Sequence, residues 1–164
     1  MADSTEGQLI AYLKDAHALE QMSLRMTEAA AKATDDPQLR DMFQHHHEET
    51  QEHERLIRER LESYGESTSA LKDLGGRIAA LAKGVESTAP SDSPGRLARD
   101  AYVQEHTEVA AYELLCRTAE RAGDLETADV GRRILKNERQ TAEKITGTWD
   151  HVTDLSLREA GAAA

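Results

Sequence analysis

An all-α bundle of four long helices is what this sequence predicts, on three observations. Its composition favours helix over strand: the 164 residues hold one Trp and one Phe, while Ala, Leu, Glu, Gln and Arg are abundant. Its ten glycines and three prolines fall largely in clusters where helices would stop and start. Its long segments carry stripes at alternating spacings of three and four, the mark of one buried helical face.

Each element follows from local signals. Thr5 with Gln8 predicts a capping box opening the first helix, and Thr34-Asp35-Asp36 closes it. Asp36 caps a second helix with Pro37 at its first position, running to Tyr64 and stopping at Gly65. Ser93-Pro94 repeats that opening for a third helix, which runs to Ala122 and stops at Gly123. Asp124 caps a fourth, which continues past Trp149 and frays in the Ala-Gly-Ala tail. Between the second and third lies a long crossover with a short amphipathic helix showing Leu71, Leu74, Ile78 and Leu81 on one face. The joints inside each pair are so short that each pair must fold back as an antiparallel hairpin. Two hairpins joined by one long connection give the ferritin-like topology. The expectation is one domain with its bundle over about residues 5–157, a crossover over 66–92 and a tail over 158–164.

Composition also excludes functions. Acidic residues outnumber basic ones by 31 to 20, for a formal charge of -11, which argues against a nucleic-acid partner. The lone Cys116 excludes an intramolecular disulfide and a Cys-rich zinc module. The acidic first residues do not resemble a signal peptide, and the apolar run Ile78–Ala82 is far too short to span a bilayer. A cytoplasmic location is the expectation.

The helical stripes carry the chemistry. They read Ile10, Leu13, His17, Glu20, Leu24, Thr27 in the first helix and Leu39, Met42, His46, Glu49, His53, Leu56 in the second. The third gives Ala98, Ala101, Glu105, Glu108, Tyr112, Leu115, and the fourth Ile134, Glu138, Thr141, Ile145, Val152. Glu20 and Glu49 lie at matched depths from the first turn, roughly 21 to 22 Å, as do Glu108 and Glu138 from the second. Carboxylates converging in a bundle would each cost several kcal/mol if ionised and unpaired, and the stripes hold no Lys or Arg at that level. Protons or cations must neutralise them. Two divalent ions match the charge of Glu20, Glu49, Glu108 and Glu138, and oxygen with imidazole suits iron or manganese. His53, four residues after Glu49, supplies the imidazole, and Glu105 is either a ligand or an acceptor behind one.

Other features read as packing. In His45-His46-His47 only His46 faces inward, because adjacent helical residues point in different directions. The His45 to Glu49 spacing suits a hemerythrin-like site, but the fourth helix lacks the further histidines. Tyr112, one turn from Glu108, is a packed tyrosine with a satisfied hydroxyl or a redox-active one. Cys116 and Trp149 are assigned to the core.

At these residues the chain resembles the ferritin-like superfamily. The stretch Leu13-Lys14-Asp15-Ala16-His17-Ala18-Leu19-Glu20-Gln21, with Arg40, Phe43, His47-Glu48-Glu49-Thr50 and Arg55-Leu56, is similar to the bacterial YciF/YciE stress-protein family. Glu105-His106-Thr107-Glu108-Val109-Ala110-Ala111-Tyr112 is similar to that family's third helix. The resemblance implies a dinuclear centre holding two divalent transition-metal ions, iron ahead of manganese, a homodimer and a role in stress response. It further implies Fe(II) oxidation or reduction of O₂ or hydrogen peroxide, with small oxidants as partners. Glu49 and Glu138 would bridge the ions, with Glu20, Glu108, Glu105 and His53 completing the ligand set. Ferritin-like relatives carry Glu-x-x-His in the second and fourth helices; here Glu138 is followed by Thr141, so the fourth-helix nitrogen is missing. The rival readings are a non-catalytic helical stress or interaction protein with an empty site, and a subunit of a larger iron-storing shell.

Overall fold

The computed structural model describes residues 2–66 and 93–161, with side chains from residue 4 onward. Five helices occupy them: α1 (Ala2–Ala33), α2 (Pro37–Ser63), α3 (Pro94–Ala122), α4 (Leu125–Thr146) and α5 (Trp149–Glu159). Helices α1 and α2 form one antiparallel hairpin and α3 and α4 the other, so the fold is a ferritin-like bundle. The crossover and its short amphipathic helix lie outside the described residues.

The caps work as the sequence indicates. The Asp36, Ser93 and Asp124 side chains accept hydrogen bonds from the backbone N–H groups of Leu39, Arg96 and Thr127, each satisfying a donor that the helix cannot. Gly123 ends α3 at φ 78°, a left-handed conformation that a side chain would strain.

Two boundaries differ. Helix α1 starts at Ala2, so Thr5 and Gln8 lie inside it and form no capping box; nothing in Ala2-Asp3-Ser4 breaks a helix. The fourth helix is not continuous past Trp149. Both the N–H and the Oγ1 of Thr148 donate to the Ile145 carbonyl, at 2.9 and 2.7 Å. That carbonyl would otherwise accept from Trp149, so α4 ends there and α5 begins. The Trp149 ring then packs edge-on against Tyr102 of α3, 5.5 Å between centroids.

Burial shifts the phase of the first two stripes. Leu9 and Ser23 are buried in place of Ile10 and Leu24, and Phe43, Thr50 and Ile57 in place of Met42, Glu49 and Leu56. Apolar side chains then form two layers. One gathers Leu9, Leu13, Ile57, Leu61, Leu115 and Ile134 near the second turn; the other gathers Leu39, Phe43, Ala98, Ile145 and Val152 at the opposite end. The inward glutamates and histidines lie between them.

At the end of the first layer, Asp124 joins the hairpins. Arg60 donates to its carboxylate at 3.0 Å and the Tyr64 hydroxyl at 2.6 Å. Burial alone would raise the Asp124 pKa, but hydrogen bonds from Thr127, Tyr64 and Arg60 outweigh it and hold the group at about 2. Its stabilisation is therefore fully present above the ordinary 3.8 and is lost as pH falls through about 2. Asp124→Ala is expected to lower the free energy of unfolding by about 2 kcal/mol in urea titrations at neutral pH, with Asp124→Asn losing less because the cap survives.

Candidate metal centre

Six buried side chains from all four bundle helices converge between the apolar layers. Helix α1 supplies Glu20, α2 His46 and His53, α3 Glu105 and Glu108, and α4 Glu138. Their ligand atoms fall into two groups, each with all atoms within 4.8 Å of one another: His46, Glu105, Glu108 and Glu138, and then Glu20, His53 and Glu138. Glu138 belongs to both.

The contacts are close without being paired. His53 Nδ1 stands 2.8 Å from Glu138 Oε1, and His46 Nε2 stands 2.9 Å from Glu105 Oε1. Yet His53 Nδ1, His46 Nε2, and both oxygens of Glu108 and of Glu138 have no hydrogen-bond partner among the described residues. Glu20 Oε2 and Glu105 Oε2 are likewise unpartnered. Buried polar atoms are normally satisfied. So many orphaned oxygens, facing imidazole nitrogens across a common space, are the arrangement that divalent cations complete. The residues present fit such a group.

Electrostatics agree. Burial, then the charge of Glu138, raises Glu20 well above its ordinary pKa. Burial, then the charges of Glu20, Glu138 and Glu105, does the same to Glu108. Burial lifts Glu105 to about 7 against the pull of His46. His46 is held up at about 10: burial opposes its charge, but contacts with Glu105 and Glu49 prevail. No Lys or Arg forms an ion pair with any of the four inner carboxylates among the described residues.

Supporting contacts surround the six. The Tyr112 hydroxyl donates to Glu20 Oε1, which together with burial raises the tyrosine well above its ordinary pKa. His53 Nε2 lies 3.1 Å from the Asn137 amide nitrogen, and His46 Nδ1 lies 3.5 Å from Thr141 Oγ1. Each histidine thus turns one nitrogen inward and is fixed by α4 through the other, the usual way of orienting a ligating imidazole.

The structure gathers Glu20, His53, Glu105, Glu108 and Glu138 as the stripes suggest, but it does not gather Glu49. With His46, His53, Thr50 and Ile57 turned to the axis, Glu49 is rotated roughly 70° away from their mean direction on the helical wheel. Its carboxylate is 26% exposed and approaches His45 Nε2 at 3.4 Å, His46 Nδ1 at 3.7 Å and Lys144 Nζ at 4.0 Å. Contact with His46 lowers its pKa. Depth along the helix was matched; direction around it was not. His46 takes a place among the six. Its signal was the seven-residue spacing from His53, which puts both imidazoles on one face. His17 is buried but turns aside to Glu54, 3.0 Å away. Cys116 fits against Gly131, where an added Cβ would meet Sγ at 2.7 Å.

Solved structures align over nearly the whole chain. A protein of Xanthomonas campestris pv. campestris is 25% identical, with a TM-score of 0.79 over 96% of this chain and 99% of its own. The Escherichia coli stress protein YciF is 27% identical, with a TM-score of 0.71 over 92% of this chain and 97% of its own. A Desulfovibrio desulfuricans bacterioferritin, whose structure is described by its diiron site in different catalytic states, shares the fold at 16% identity, with a TM-score of 0.76 over 95% of this chain and 86% of its own. The family described as "Domain of unknown function (DUF892)" matches residues 4–158, and the chain belongs to that family.

Proposed function

We propose that this protein binds two divalent transition-metal ions, iron ahead of manganese, in the space between its apolar layers. The observation that carries the reading is Glu138, which belongs to both ligand groups and whose two oxygens have no hydrogen-bond partner among the described residues. His46, Glu105 and Glu108 would complete one position and Glu20 and His53 the other. Four inner carboxylates balance two divalent ions, so the charge argument holds with Glu105 in the place expected of Glu49. The bacterioferritin likeness supports iron, and the likeness to a stress protein supports a stress-linked role.

When bound, such ions supply redox chemistry with Fe(II), O₂ or hydrogen peroxide as the reactants. The chain's own residues do the rest. Asn137 and Thr141 hold the imidazoles in position, and Tyr112 fixes Glu20 by its hydrogen bond. The two apolar layers keep bulk water from the carboxylates and so strengthen every charge inside.

Loading chelator-treated protein with Mn(II) or Co(II), followed by desalting and metal analysis, is expected to give about two ions per chain and a raised melting temperature. Glu138→Ala is expected to empty both positions, whereas Glu49→Ala, acting only through His46, weakens binding about tenfold. Fewer than one ion per chain, unchanged by Glu138→Ala, overturns the reading in favour of a non-catalytic helical module. The metal-free protein carries a second signature. Folded Glu20 and Glu108 keep protons that the unfolded chain gives up above 4.5, and His46 keeps one, up to about 10, that the unfolded chain gives up above 6.5. Metal-free stability is therefore expected to fall as pH rises, as read by urea titrations at about pH 5.5 and about pH 8, and Glu108→Gln is expected to flatten the slope.

A further inference from the structure

A cavity of about 310 Å³ runs inward between α1 and α3 and ends against His46 and Glu105. Its mouth is marked by the exposed Ala29 and Ala33 and the half-buried Asp100, and its walls are mainly apolar, formed by Met26, Phe43, Ala101 and Ile145 with Thr27 and Thr141 beside them. The floor is polar. Ser23 Oγ lines it, is 1% exposed and has no hydrogen-bond partner among the described residues. Gln104 also lines it at 6% exposure. Its amide nitrogen sits near enough to Glu108 to help keep that carboxyl ionised but closes no hydrogen bond.

A buried hydroxyl and a buried amide N–H left unpaired are costly, so the floor calls for a polar atom from outside the chain. Water answers this only in part. A single water on the floor would meet these groups but leave the apolar walls above it uncovered. The volume is at the lower end of the range that holds small organic molecules. Amide and hydroxyl donors ask for an oxygen acceptor. Asp100 at the mouth, Glu105 at the floor and the chain's net charge of -11 oppose an anion.

From these features we infer that the cavity binds a small neutral organic molecule, an apolar chain or ring carrying one carbonyl or hydroxyl oxygen, whose oxygen takes hydrogen bonds from Gln104 and Ser23. The bound oxygen lies beside His46 and Glu105 at the edge of the six-residue cluster. The site is built from protein groups alone and does not depend on metal.

The test is calorimetric titration of the full-length protein, both chelator-treated and Mn(II)-loaded, with 1-hexanol, hexanoate and hexylamine as probes. 1-Hexanol is expected to bind saturably with a dissociation constant of about 1 mM or tighter in both forms, and hexanoate at least about tenfold more weakly. Ala101→Phe, which fills the cavity, is expected to abolish binding. Ser23→Ala and Gln104→Leu, which barely change the volume, are each expected to weaken 1-hexanol about fivefold without altering the circular dichroism spectrum; they carry the test if Ala101→Phe does not fold. Absence of saturable binding, 1-hexanol affinity unaffected by the Ser23 and Gln104 substitutions, or hexylamine binding more tightly than 1-hexanol overturns the assignment. Binding confined to the Mn(II)-loaded form also overturns it, since the probe would then be a metal ligand. Loss of metal binding with 1-hexanol binding intact would overturn the metal reading and leave this one standing.

Discussion

The burial of four carboxylates with no Lys or Arg paired to any of them among the described residues is the constraint on which the rest of this structure depends. Each ionised carboxylate in such surroundings costs several kcal/mol unless matched, and a bundle could avoid the cost by turning the glutamates outward. Here it cannot easily do so. The apolar layers on either side fix the rotation of every helix, because Leu13 with Ala30, Ile57 with Phe43, Leu115 with Ala98, and Ile134 with Ile145 must all face inward together. Packing at both ends therefore holds Glu20, Glu105, Glu108 and Glu138 at the axis between them.

The two hairpins repeat each other in outline and divide the chemistry unequally. Helices α1 and α3 both bring glutamates to the same level, Glu20 on one side and Glu105 with Glu108 on the other. The nitrogens all come from α2, where His46 and His53 sit two turns apart on one face. Helix α4 answers with Glu138 between them and with Thr141 and Asn137 behind them. The absence of a fourth-helix histidine thus leaves neither ligand group without an imidazole. The groups remain unequal, three carboxylates with His46 and two with His53, so ions placed there would differ in charge environment and in affinity.

Much of this was legible because helix punctuation and depth are local properties. Asp36-Pro37, Ser93-Pro94, Gly123 and Asp124 each mark a boundary by their own chemistry, and residue counting from the turns put the glutamates at one height. Rotation is a different matter. His46 and His53 fit two stripes on α2, one through Glu49 and one through Thr50, and only the packing of Phe43, Ile57 and Leu61 selects the second. The break between α4 and α5 was hidden for a similar reason: Thr148 captures the Ile145 carbonyl through a choice that composition does not reveal. Ser23 and Gln104 are unremarkable in sequence, since an unpaired buried group is defined by what fails to surround it.

The route of approach to the cluster follows from the same rotation. By turning Glu49 to the flank and His46 inward, α2 makes His46 common to two clefts: the cavity between α1 and α3, and a second cleft along α2 and α4 lined by His45, Thr141 and Lys144. The first is walled by apolar side chains and the second carries charge at its edge, where Glu49, His45 and Lys144 meet. His53, by contrast, sits beside the layer of Leu13, Ile57 and Ile134. An apolar molecule and a hydrated ion would therefore reach the same imidazole by different sides, each through walls that suit its own solvation.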